Sequence, residues 1–145
     1  MDDMLDSPSL SAPRKPGQAL GLVLCRSSPD SVGTAICAYF ELTMLVPDGR
    51  RLSAGIGEQE LSTVNSEAAP YMVNFCVHPS LQRKGFGRKL LAFAEVLVQA
   101  LWQQHVLYLH AGEGDVAYHF YQAMGYKIVR HQTPPVVHMC KELRS

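Results

Sequence analysis

The chain has 145 residues, which suits a single core of the usual ~100–200 residues per domain. Its 13 Lys+Arg balance 13 Asp+Glu, so no global field draws it to nucleic acid or anionic lipid. The longest apolar stretch, Leu90 to Leu101, is interrupted by Glu95 and Gln99 and falls short of the ~20 residues of a membrane span, so the expectation is a soluble protein.

Residues 1–18 hold Pro8, Pro13, Pro16 and Gly17 among Ser and Asp, without apolar periodicity, and read as a disordered tail before a single domain over 19–145. Asp2, Asp3 and Asp6 stand where a secretory signal needs positive charge, which leaves a cytosolic location as the default. Leu20 to Cys25 and Val32 to Val46 are rich in β-formers around the turn Ser27-Ser28-Pro29-Asp30-Ser31, and predict an antiparallel hairpin. Arg50 to Glu67 reads as a loop, longer than most connections and for that reason a candidate for function.

Tyr71 to Val77 predicts a third strand, closed by His78-Pro79. Gly87 to His105 then places Leu90, Leu91, Ala94, Leu97, Val98 and Leu101 at helical spacing. Val106 to Ala111 is a short strand, and Asp115 is an N-cap candidate for a helix running to Met124 and stopped by Gly125. Tyr126 to Val129 and Val136 to Cys140 complete the order hairpin, strand, helix, strand, helix, strand, strand, an α/β or α+β layered domain. Cys25, Cys37, Cys76 and Cys140 lie singly in apolar stretches, without the spacing of a zinc site or disulfide framework. They read as reduced core residues, and no metal is expected.

Chemistry concentrates in Gln82-Arg83-Lys84-Gly85-Phe86-Gly87-Arg88-Lys89, between a strand and a helix. Gly85 and Gly87 let the backbone approach a ligand closely, and a helix start presents free N–H groups and a dipole that favours negative charge. Arg83, Lys84, Arg88 and Lys89 crowd that turn, and no acidic residue occurs between Ala68 and Ala94. A phosphate-bearing ligand fits, although a solvated basic turn is the competing reading. A nucleotide P-loop is excluded because Leu90 follows Lys89, and the dinucleotide fingerprint because Leu90 occupies its third glycine.

The strand Tyr71–Val77 with His78-Pro79, then Gln82-x-x-Gly85-x-Gly87 and Leu90-Leu91, resembles the acetyl-coenzyme A motif of the GNAT superfamily of N-acetyltransferases. Leu107-Tyr108-Leu109, Ala117-Tyr118-His119-Phe120-Tyr121 and Met124-Gly125-Tyr126 are similar to that family's next strand, helix and glycine-aromatic turn, and Val32-Gly33 to the start of an earlier strand. The resemblance covers roughly residues 20 to 143. It implies a mixed, mostly antiparallel central sheet flanked by helices, here with a shortened N-terminal region.

It also implies acetyl transfer from acetyl-coenzyme A to a primary amine by direct attack in a ternary complex. The acceptor is an amine on a small molecule, a peptide N-terminus or a lysine. The coenzyme is a co-substrate bound by Gln82, Arg83, Lys84, Gly85, Phe86, Gly87 and Arg88, with its pyrophosphate on the N–H groups of Arg83 to Arg88. Its pantetheine arm pairs with Phe75, Cys76 and Val77 as an added strand, where two parallel strands splay apart between Tyr71–Val77 and Val106–Ala111. The Phe75 N–H polarises the thioester carbonyl, and the Tyr121 hydroxyl protonates the departing thiolate. Packing is the competing reading for Tyr121. The base is open among Glu41, His78, His110 and ordered water, since Tyr71 stands where some relatives carry glutamate.

Two departures from the family pattern count. Gly114 replaces a common asparagine that contacts the coenzyme arm, and residues 1–18 are not expected to form the N-terminal strand and two helices that wall the acceptor pocket in relatives. Either the Arg50–Glu67 loop or a partner subunit, as in a homodimer, supplies that wall, or the chain is a shortened form. An inactive acyl-coenzyme A-binding regulatory module of the same fold is the alternative to the enzyme.

Overall fold

The computed structural model describes residues 19–27, 34–45, 68–131 and 135–144. The expectations for residues 1–18, for the hairpin turn and for the Arg50–Glu67 loop lie outside the described residues. Six strands form one sheet in the order β1-β2-β3-β4-β6-β5: β1 Ala19–Ser27, β2 Thr34–Leu45, β3 Ala69–Val77, β4 Val106–Gly112, β5 Lys127–His131 and β6 Val136–Glu142. Helix α1 (Phe86–Trp102) joins β3 to β4, and α2 (Val116–Ala123) joins β4 to β5. All neighbours are antiparallel except β3 and β4. The sheet is therefore mixed and mostly antiparallel.

Both helical crossovers advance across the sheet in one direction, and right-handed connection then puts both helices on one face. The core bears this out. Leu91, Ala94 and Val98 of α1 and Tyr121 of α2 share one buried cluster with Phe40, Leu42, Met72, Leu107, Leu109, Val137 and Met139 of the sheet. Strict alternation along β4 sends Leu107, Leu109 and Ala111 to that face. In α1 the buried residues recur at 91, 94 and 98, as the apolar spacing predicts, but the helix stops at Trp102 rather than His105. Gln103 takes φ 53 and returns its N–H to Gln99 and Val98, ending the helix in a left-handed cap.

The reading of the cysteines is half corrected. All four are free, but only Cys37 is buried, whereas Cys25 and Cys76 are exposed and Cys140 is intermediate. Cys25 lies on the edge strand and Cys76 beside the gap described below, positions where neighbouring chain does not cover a small side chain. Asp115 occupies the N-cap of α2, as expected, but makes no side-chain cap bond.

Candidate functional site

β4 contacts β3 through one ladder pair, Tyr71↔Tyr108, beyond which the two strands part. The cause lies partly in β3 itself. Between the pairs Tyr39↔Cys76 and Glu41↔Val73, the single residue Phe40 of β2 faces both Asn74 and Phe75. Asn74 is the extra residue of this bulge and takes φ 53, a left-handed conformation that asparagine tolerates better than most. The bulge also shifts the alternation. Phe75, rather than Asn74, follows Met72 onto the helix face, where its ring lies 6.5 Å from Phe40, 6.0 Å from Phe120 and 6.2 Å from Tyr121.

Past the bulge the main chain of β3 has two destinations. His78 N–H donates to Cys37 O at 2.8 Å, so ladder alternation turns Cys76 toward β2 as well, and Phe75 and Val77 toward the gap. The Cys76 side chain is exposed. Val77 O is taken by Gln82 Nε2 at 2.9 Å, a bond that folds the basic turn back against the strand end. The Gln82 side chain thus ties the turn to the end of β3.

The turn then winds into α1 through positive φ at Arg83 (62°) and Gly85 (82°). Gly85 is the N-cap, with no side-chain cap, and the first helical bond runs from Lys89 N–H to Gly85 O at 3.1 Å. The N–H groups of Phe86, Gly87 and Arg88 are left without helical partners, and no acidic residue stands in the first turn. Among the described residues, a Cβ added at Gly85 would meet nothing within 4 Å, so the space beside this glycine is open. At Gly87 a Cβ would lie 3.6 Å from the Phe120 ring and 3.9 Å from Val77, so anything larger than alanine must displace them. Arg83, Lys84, Arg88 and Lys89 are all exposed around this opening. These features fit an extended anion whose other end enters the gap between β3 and β4.

Tyr121 lies on α2 at the inner end of the gap, 5% exposed, against Phe75, Phe120 and Tyr126. Burial holds its hydroxyl well above the ordinary phenol pKa, so it stays protonated through the neutral range. Among the described residues that hydroxyl makes no hydrogen bond.

The candidate bases are scattered over the other side. Glu41 accepts the Tyr39 hydroxyl in a short hydrogen bond and Asn74 Nδ2 at 3.1 Å, which places it beside the bulge. His78 is exposed, and its Nδ1 accepts the Ser80 N–H at 3.2 Å, so it caps the short 3₁₀ turn Pro79–Leu81. His110 belongs to a stack that sequence reading missed, 5.9 Å from Tyr71 and 4.9 Å from His138. Tyr71 and His138 are each 1% exposed and joined Oη to Nε2 at 2.6 Å, with Tyr108 stacked on both. His138 gave no signal because β6 is buried on both faces over Val136–Met139 and shows no alternation. Among the described residues no cluster of His, Cys, Asp and Glu could hold a metal, and no helix is long and apolar enough to cross a membrane.

The family profile described as "Acetyltransferase (GNAT) domain" matches residues 32–128. Among solved structures, the fold is similar to AtaTR bound with AcCoA, at 20% identity and TM-score 0.55 over 81% of this chain and 67% of that one. It is similar to the paiA N-acetyltransferase from Thermoplasma acidophilum in complex with coenzyme A, at 15% identity and TM-score 0.56 over 84% of this chain and 60% of that one. It is also similar to NAA60 of Arabidopsis thaliana in complex with a bisubstrate analogue, at 13% identity and TM-score 0.63 over 88% and 78%. No curated protein matches the sequence. The likeness to these structures is one of fold.

Proposed function

The chain belongs to the GNAT acetyltransferase family, and from that premise we propose that it transfers the acetyl group of acetyl-coenzyme A to a primary amine in a ternary complex. The observation that carries the reading is the gap between β3 and β4, which opens beside an uncapped, cation-ringed helix start. Phosphates are held by the N–H groups of Phe86, Gly87 and Arg88 and by Arg83 and Arg88, with the dipole of α1 aligned to favour them. The pantetheine arm runs along β3 in place of a missing neighbour strand and pairs with the Phe75 main chain and the Val77 N–H, since Val77 O is already taken by Gln82. The co-substrate neighbours, AcCoA and coenzyme A, support this reading as ligands of similar folds.

Chemistry follows from two groups at the inner end. The Phe75 N–H donates to the thioester oxygen as it gains charge, which is worth a few kcal/mol where water is excluded, on the order of 3. As the amine nitrogen bonds to the carbonyl carbon, the C–S bond breaks and the electron pair stays on sulfur. Tyr121 donates its hydroxyl to that sulfur. Burial raises the phenol further above a thiol of pKa about 8.5, so the contribution is a hydrogen bond strengthening in the transition state, and bulk solvent completes the protonation. The amine proton leaves through ordered water or one of Glu41 and His110, on the face away from the helices.

The acceptor class is tested by offering acetyl-coenzyme A with peptide N-termini, lysine peptides and polyamines in parallel while following free thiol. Thiol release with one acetylated amine class is expected. Saturable coenzyme binding without transfer to any amine would select an acyl-coenzyme A-binding module instead.

A further inference from the structure

Glu95 stands in the apolar stretch of α1, and the roles above do not use it. Its side chain is 15% exposed and binds Lys141 Nζ at 2.9 Å from each carboxylate oxygen. It also accepts the Tyr126 hydroxyl at 3.2 Å. Lys141 of β6, 24% exposed, lies 5.7 Å from the centroid of the same Tyr126 ring. A partly buried ion pair is a weak stabiliser, because both charges give up water to meet, but its geometry is specific. What this pair holds is the Tyr126 ring, tied at its hydroxyl to α1 and covered by β6.

Tyr126 in turn touches Tyr121 twice. Its N–H donates to Tyr121 O at 3.0 Å, and the two rings lie 5.7 Å apart at 60°. Since the Tyr121 hydroxyl makes no hydrogen bond among the described residues, its direction is set by packing against Phe75, Phe120 and Tyr126. Of those three, Tyr126 alone has a polar side-chain atom, and its hydroxyl anchors it to Glu95.

We propose that the Glu95–Lys141 pair is a positioning device for Tyr121, acting through the Tyr126 hydroxyl and ring to aim the Tyr121 hydroxyl into the gap between β3 and β4. The inference rests on the reading of Tyr121 as hydrogen-bond donor to the leaving sulfur. A loosened Tyr126 lets the Tyr121 ring drift, and small misplacements of a reacting group cost rate steeply.

A double-mutant cycle tests it. Single-turnover acetyl transfer is measured for the full chain, for Glu95→Gln and Tyr126→Phe, for Tyr121→Phe, and for both double variants, with acetyl-coenzyme A affinity titrated for each. Tyr126→Phe keeps the ring and removes only the hydroxyl, so it remains informative should Glu95→Gln unfold. Each of the two is expected to slow transfer about tenfold when Tyr121 is present and less than about twofold in the Tyr121→Phe protein, with coenzyme affinity unchanged. Equal losses in both backgrounds, or no loss in either, overturn the positioning role. A Tyr121→Phe single variant at full rate overturns the donor reading itself, and the positioning role with it.

Discussion

β4 meets its two neighbours in different ways. With β6 it forms seven antiparallel pairs, from Val106↔Glu142 to Gly112↔Val136, and with β3 a single parallel pair. The closed seam uses its hydrogen-bonding capacity internally and contributes stability. The open seam leaves the Phe75 main chain and the Val77 N–H beside an uncapped helix start, which is where we place an extended ligand with a charged end. In the proposed function, the chemistry lies where the ladder fails.

The contrast sharpens if substitutions along the two seams have separable consequences. Met139, fully buried on the closed seam, should cost about 2–5 kcal/mol of stability when changed to alanine, visible as a lowered denaturant midpoint. The folded fraction should keep the coenzyme affinity of the parent. Tyr121→Phe at the open seam should do the reverse, slowing transfer by about a hundredfold with a much smaller change in midpoint, read by single-turnover kinetics beside denaturation.

A smaller effect is expected at the mouth of the gap. Arg88→Glu places a negative charge in the first turn of α1, where the dipole and the neighbouring cations favour anions, and should weaken acetyl-coenzyme A binding about tenfold at low salt. Isothermal titration at low and at high ionic strength checks this, and the difference from the parent should shrink as salt rises.

A further effect is confined to alkali. Burial raises the phenol pKa of Tyr121, and burial together with the Glu95 charge raises that of Tyr126. The native state therefore keeps protons that the unfolded chain releases near pKa 10, so stability is unaffected below about pH 9.5 and falls as pH rises through 10. The slope is at most about 1.4 kcal/mol per pH unit for each hydroxyl, and Tyr126→Phe should flatten it. Midpoints of thermal unfolding across pH 8 to about 11 give the comparison.

Much of the closed architecture is legible in the sequence, and the open part is legible only by resemblance. The apolar spacing at Leu91, Ala94 and Val98 forecasts the buried face of α1, and alternation through Leu107, Leu109 and Ala111 forecasts that of β4. The gap is different. Its geometry depends on the bulge at Asn74, and the alternation Met72, Asn74, Cys76 would put Phe75 on the wrong face. No local pattern announces an extra residue whose effect is to exchange two faces. The stack of Tyr71, Tyr108, His110 and His138 was hidden for another reason, since it joins three strands that are distant in sequence and only the sheet order brings them together.

The central claim, that the unpaired edge of β3 beyond Tyr71 receives the acetyl-coenzyme A arm, is tested most directly by amide hydrogen exchange at Phe75 and Val77 with and without the coenzyme. Protection of these two amides on binding, with Cys76 and the β4–β6 amides little changed, is the predicted result. Saturating coenzyme that leaves the Phe75 and Val77 amides exchanging as in the free protein would contradict the account.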